Sequence, residues 1–185
     1  MQPISILGHK VEVELRIAPA RASAMAGLDL AAALAEMANR IDAVDWRPDQ
    51  AEALRSMRRI VLFEPRVQAN GWRISRSGCD EADGVFYWRL AEFVAHPDPA
   101  VHANIFFHDC WHVVQHRRDG GYAWDPAEQV RRELEALERQ IEAARMLGCE
   151  AGKVLFLEAF RDSPARIAAR LRQGVRRARK RPRRS

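Results

Sequence analysis

The sequence is short of cysteine, of long apolar runs and of internal repeats, and each lack narrows what the chain can be. Three cysteines (Cys79, Cys110, Cys149) are an odd number without framework spacing. They argue against a disulfide scaffold and for buried thiols in a reducing, cytoplasmic setting. No apolar stretch approaches the ~18 residues needed to span a bilayer. The start, MQPISILGHKVEVELRI, has no basic region leading into an apolar one, so no secretory signal is visible. Nothing signals a nucleotide, flavin or haem.

What is present reads as an ordinary globular chain. Of 185 residues, 48% are apolar and 30% charged, enough for one domain with a core and a tail. The formal net charge of +5 divides unevenly. Residues 166–185 hold ten Arg/Lys and no acid, which leaves 20 basic and 25 acidic residues elsewhere, a balance of −5. A mildly acidic domain over 1–173 is expected to carry a disordered basic tail over 174–185. Such a tail binds polyanions, nucleic acid among them, through charge. It has no interleaved aromatics to stack on bases, and the acidic body disfavours a nucleic-acid role for the domain itself.

Residues 10–17 alternate in period two and predict a strand. Residues 28–42 are helical, with Asp29 and Asp42 at the boundaries. Pro48 and Asp49 open a short helix through about Arg58, and 59–67 reads as a strand ended by Pro65. Residues 72–77 and 84–94 are candidate strands around a turn-like GCDEADG, the second open to becoming helical after Trp88. Residues 101–118 form a helix, 127–147 an amphipathic helix behind Asp125 and Pro126 that Gly148 stops, and two further helices follow, the last capped by Ser163. Strands first and helices later predict an α+β fold.

The helix over 101–118 carries His108, His112 and His116 at i, i+4 and i+8. Two imidazoles four residues apart lie on one face and can converge on one ion. The third drifts a further ~40° and sits a turn higher. The pair is therefore His108 with His112 or His112 with His116, unless all three merely decorate a helix. Cys110 points about 200° from His108 and, with Phe107 and Trp111, is expected in the core beside Phe106 and Val113.

His108-Asp109-Cys110-Trp111-His112, with IFF before it and HVVQ from the second histidine, resembles the HExxH signature of zincin metallopeptidases, with Asp for Glu. The likeness covers 101–147. It implies a zincin-like helical half, a Zn2+ cofactor, a peptide or protein substrate and Asp109 as the base that takes a proton from water. Asp is one methylene shorter than Glu, on the order of 1.5 Å of reach, where a misplacement near 1 Å costs about a hundredfold. Otherwise Asp109 is a helix-surface acid paired with a cation such as Arg117. In the gluzincin branch a glutamate on a following helix is the third ligand. Glu133, 21 residues after His112, fits that spacing, and Glu138 is the reserve. Both flank the apolar stripe of Val130, Leu134, Leu137, Ile141 and Ala144, while Glu128, Glu135 and Glu142 face away. A transition-state stabiliser is open among His116, Tyr122, His96 and His102. The alternative function is a non-catalytic, metal-stabilised scaffold with a polyanion-binding tail.

Overall fold

A computed structural model describes residues 1–17, 29–64 and 77–179. Among these residues five strands form one mixed sheet in the order β1-β2-β3-β5-β4. β1 (Ile4–Ile6) pairs antiparallel with β2 (His9–Arg16), β2 runs parallel to β3 (Arg59–Phe63), and β3 runs parallel to β5 (Val85–Arg89). β4 (Gly78–Asp80) closes the edge antiparallel to β5. The helices are α1 (Leu30–Asp42), α2 (Pro48–Ser56), α3 (Leu90–Val94), α4 (Pro99–Arg118), α5 (Pro126–Met146), α6 (Ala151–Arg161) and α7 (Pro164–Arg179). The fold is α+β, as its order of strands and helices predicts.

Asp29 and Asp125, expected at helix starts, act as caps, accepting from Ala32 N and from Glu128 N ahead of Pro126; Asp98, ahead of Pro99, likewise accepts from Ala100 N. Gly148 follows α5 with φ +69°. Two elements differ from expectation. β1 has no counterpart in the sequence pattern. Gly78–Asp80, expected as turn, is strand, and the turn is confined to 81–84. Over 84–94 the helical option left open after Trp88 is the one taken, with β5 giving way to α3 at Leu90. The expected strand over 72–77 lies outside the described residues save Ser77, as does the end of the tail, 180–185. Helix α7 continues to Arg179, past Gly174.

Helix α4 is the centre of the molecule. The sheet, α1 and α2 pack around one side of it and α5 around another, so eleven of its twenty residues are buried, Phe106, Phe107, Cys110 and Val113 completely. A helix enclosed in this way has no single apolar stripe. Phe107 stacks on Trp46, with centroids 5.4 Å apart. Helix α5 is buried on two faces. Its Leu137, Ile141 and Ala144 pack with Leu157 and Ile167 of α6 and α7, while Ala136 and Ala143 join the core around α4. Among the described residues no helix is long and apolar enough to cross a membrane.

Candidate metal centre

Enclosing α4 obliges its polar residues to find partners inside the protein. Asn104 donates to the Gln140 carbonyl at 2.8 Å and accepts from the Gln140 amide at 3.0 Å, clamping α4 to α5. One turn from the other end, Gln115 donates to the Arg132 carbonyl at 2.9 Å. That bond fixes the amide so that Oε1 points at His112 Nδ1, 2.8 Å away. An amide oxygen only accepts, so His112 Nδ1 carries a hydrogen and Nε2 is the atom presented to a partner.

That partner face is shared. His112 Nε2 lies 3.1 Å from His108 Nε2 and 3.4 Å from Glu133 Oε2, and His108 Nε2 lies 3.8 Å from Glu133 Oε1. Donors bound at about 2.0–2.1 Å around a tetrahedral ion stand about 3.3 Å apart, and the three observed separations straddle that edge. The ligand atoms of the three residues all fall within 4.8 Å of one another, and they could hold a metal ion. All three side chains are mostly buried, at 13–15% exposure. Buried Nδ1 of His108 makes no hydrogen bond of normal geometry, and the Gln140 amide is its polar neighbour.

The cluster holds its charge in a pair. Burial lowers the His108 pKa to about 4, against the pull of Glu133, so this ring is neutral. Burial acts the same way on His112, but the hydrogen bond to Glu133 and the charges of Glu133, Asp109 and Glu81 outweigh it and raise the pKa to about 9. Burial would raise Glu133, yet the bond from His112 and the nearby histidines hold it down, to about 2. His112 and Glu133 thus form an imidazolium–carboxylate pair that an ion must displace.

Several sequence expectations meet here and others do not. The paired histidines are His108 and His112. His116 stands apart, its Nδ1 3.5 Å from Glu81 Oε2 and its ring against Tyr122. Glu133 is in the cluster, whereas the reserve Glu138 is exposed on the far side and acts on Arg161. Glu135 and Glu128 are held by Arg118, Arg131 and Arg132. Asp109 is no surface acid. It is 9% exposed, its carboxyl set against the Cys79 thiol of β4, and burial raises its pKa to about 7. Cys110 is in the core as predicted. His102 is also a core residue, stacked on Phe93 and bonded to the Phe93 carbonyl at 2.8 Å, and His96 is exposed.

No protein-family model matches this chain, and neither curated proteins nor solved structures give a match.

The cluster opens on a cleft of about 380 Å³ lined by Glu81, His112, Gln129, Arg132 and Glu133, with Tyr122, Ala123, Trp124 and Leu171 on its apolar side. Trp124 is 84% exposed at the mouth. Glu81, Gln140 and Arg170 escaped sequence reasoning. Arg170 of α7 is exposed, and its charge reaches His108, Asp109 and Glu133. Its position in the basic C-terminal run hid it among solvated charges. Gln140 shares the Glu133 face of α5, seven residues on, and that spacing was a usable signal.

Proposed function

We propose that this chain is a zinc-dependent hydrolase of peptide bonds, with His108, His112 and Glu133 as ligands. The observation that carries this is the convergence of three buried donors from two helices, two of them lining an open cleft. A structural ion is enclosed by four protein ligands, while a catalytic one has three and a side open to water and substrate. The donors are imidazole and carboxylate, a set suited to zinc. Cys110 lies in the core, and Cys79 is turned to Asp109.

When bound, such an ion lowers the pKa of its water toward about 7 and polarises a carbonyl. The chain supplies the rest. Gln115 holds the His112 ring and its tautomer, as metal-bound histidines require of their outer partners. The apolar side of the cleft, from Tyr122 to Trp124 and Leu171, offers a wall for a peptide side chain. A carboxylate beside the ion takes the proton of the attacking water, the task the motif assigns to Asp109. A cytoplasmic location fits three free cysteines.

The burial of Asp109 favours a second reading, in which the ion only fastens α4 to α5 and the chain is a scaffold whose basic tail meets a polyanion. Elemental analysis of protein purified without a histidine tag tests the shared premise. About one zinc per chain is expected, lost in His112→Ala and Glu133→Ala. No zinc in the wild type after reconstitution overturns both readings, and retention in Glu133→Ala removes Glu133 from the ligand set.

A further inference from the structure

The cleft has a second carboxylate that the HDxxH motif does not contain. Among the described residues lining it, Glu81 and Glu133 are the two carboxylates, and Glu133 belongs to the metal cluster. Cys79 lies in β4, which packs on α4, and Glu81, two residues on, opens the turn that follows the strand. Cys79 meets Asp109 below, and Glu81 reaches past it to the cleft.

The turn that carries Glu81 is held from three directions. Asp80 Oδ1 accepts from Ala82 N at 3.2 Å and from the Tyr122 hydroxyl at 3.0 Å, which ties the turn to the loop after α4. The Gly84 carbonyl accepts from Arg58 N and Arg59 N at 2.8 and 3.2 Å, which ties it to β3. Gly84 has φ +64°, and a Cβ there would lie 2.6 Å from the Ser56 carbonyl oxygen, so the turn admits glycine alone. His116 Nδ1 stands 3.5 Å from Glu81 Oε2, buried and without a hydrogen bond of its own. Glu81 is thus placed on a fixed platform with a polar group behind it, and its charge reaches His112.

We infer that Glu81, and not Asp109, is the proton-transferring carboxylate of this site, with His116 as its positioning residue. The inference rests on the metal-hydrolase reading. The proton of the attacking water passes to Glu81 as the water oxygen bonds to the carbonyl carbon. That proton moves from Glu81 to the amide nitrogen as the C–N bond breaks, which yields an acid and an amine and returns Glu81 to its carboxylate. Asp109 keeps a positioning role through the charge it directs at His112. The longer side chain on an outside turn replaces the reach that aspartate on the helix lacks.

Acetohydroxamic acid binding to the cobalt-loaded protein, followed by the visible spectrum, tests this without knowledge of the substrate. The acid binds as its anion, and its proton must go to a neighbouring carboxylate, which then donates a charge-assisted hydrogen bond back. Glu81→Gln is expected to take up metal as the wild type does and to bind the hydroxamate at least about tenfold more weakly. Glu138→Gln, on an exposed position of α5 outside the cluster, is expected to bind the hydroxamate as the wild type does. Calorimetry in two buffers of different ionisation enthalpy should show that Glu81→Gln alters the proton balance of hydroxamate binding. Hydroxamate binding unchanged in Glu81→Gln and lost in folded, metal-loaded Asp109→Asn returns the role to Asp109 and overturns the inference. Failure of the wild type to take up cobalt or zinc removes the metal reading itself, a result separate from either.

Discussion

Because the cluster stores its charge as an imidazolium–carboxylate pair, metal binding must expel a proton from His112, and the affinity should depend on pH far above the usual histidine range. His112 is raised from 6.5 to about 9, while Glu133 is held near 2 and His108 near 4, so those two do not titrate in the neutral range. Binding requires neutral His112, whose fraction grows about 25-fold between pH 7.0 and 8.5 for a pKa of 9 but only about 1.3-fold for a pKa of 6.5. Asp109, raised to about 7, adds no more than about twofold over that window. A competition titration of zinc against a chelator of known pH dependence measures this directly. Apparent affinity should rise at least about tenfold across the window, and calorimetry at pH 7.5 should find about one proton released per ion. A change under about twofold with no proton release would refute the pairing of His112 with Glu133, and with it the local account of how the cluster is held before metal arrives.

Two further substitutions probe the supports of the site. Gln115→Ala removes the acceptor that fixes His112 and the donor that satisfies the Arg132 carbonyl; zinc affinity should fall about 10- to 100-fold, read by the same titration, with unfolding free energy lower by about 1–3 kcal/mol. Gly84→Ala forces a Cβ to 2.6 Å from the Ser56 carbonyl oxygen at a positive φ; it should cost about 2 kcal/mol or more and lower the melting temperature by roughly 5 °C, and an unchanged melt would show that the turn relaxes freely.

The meeting of His108 and His112, in a cluster with Glu133 that could hold a metal ion, was legible because local rules carry it. The i, i+4 histidines share a helix face, helix geometry left Glu133 and Glu138 of five glutamates, and the spacing implied by the gluzincin resemblance put Glu133 first. That selection needed α5 to turn one flank toward α4, and the apolar stripe alone does not say so, because Leu137, Ile141 and Ala144 pack on α6 and α7 instead. The face toward α4 is made of Ala136, Ala143 and the polar Gln140, which no hydrophobic count detects. Strands β1 and β4 are three residues each, too short for a period to show, and both exist through pairing with a neighbour. The choice for Asp109 between the implied base and a surface acid was open in the sequence because nothing in its own helix reveals that Cys79 of β4 lies against it.

The legible and illegible parts of the site divide along one physical line. A polar residue in an enclosed helix must be satisfied from another element, so Asn104, Gln115, His108 and His112 each imply a partner without naming it. The sequence of α4 therefore announces a polar seam, and only the packing of α5 and of the β4–β5 turn says what fills it. Glu81 is the sharpest case. It sits 31 residues from His112 in a stretch of turn-like residues, with no periodicity linking the two. What brings it to the cleft is the register of Cys79 opposite Phe86 at the sheet edge, the left-handed Gly84, and the Tyr122 hydroxyl on Asp80. Because Glu81 directly follows that strand, a one-residue slip in the edge pairing would carry it away from the cleft, so the pairing of a three-residue strand decides whether the cleft has a carboxylate besides Glu133.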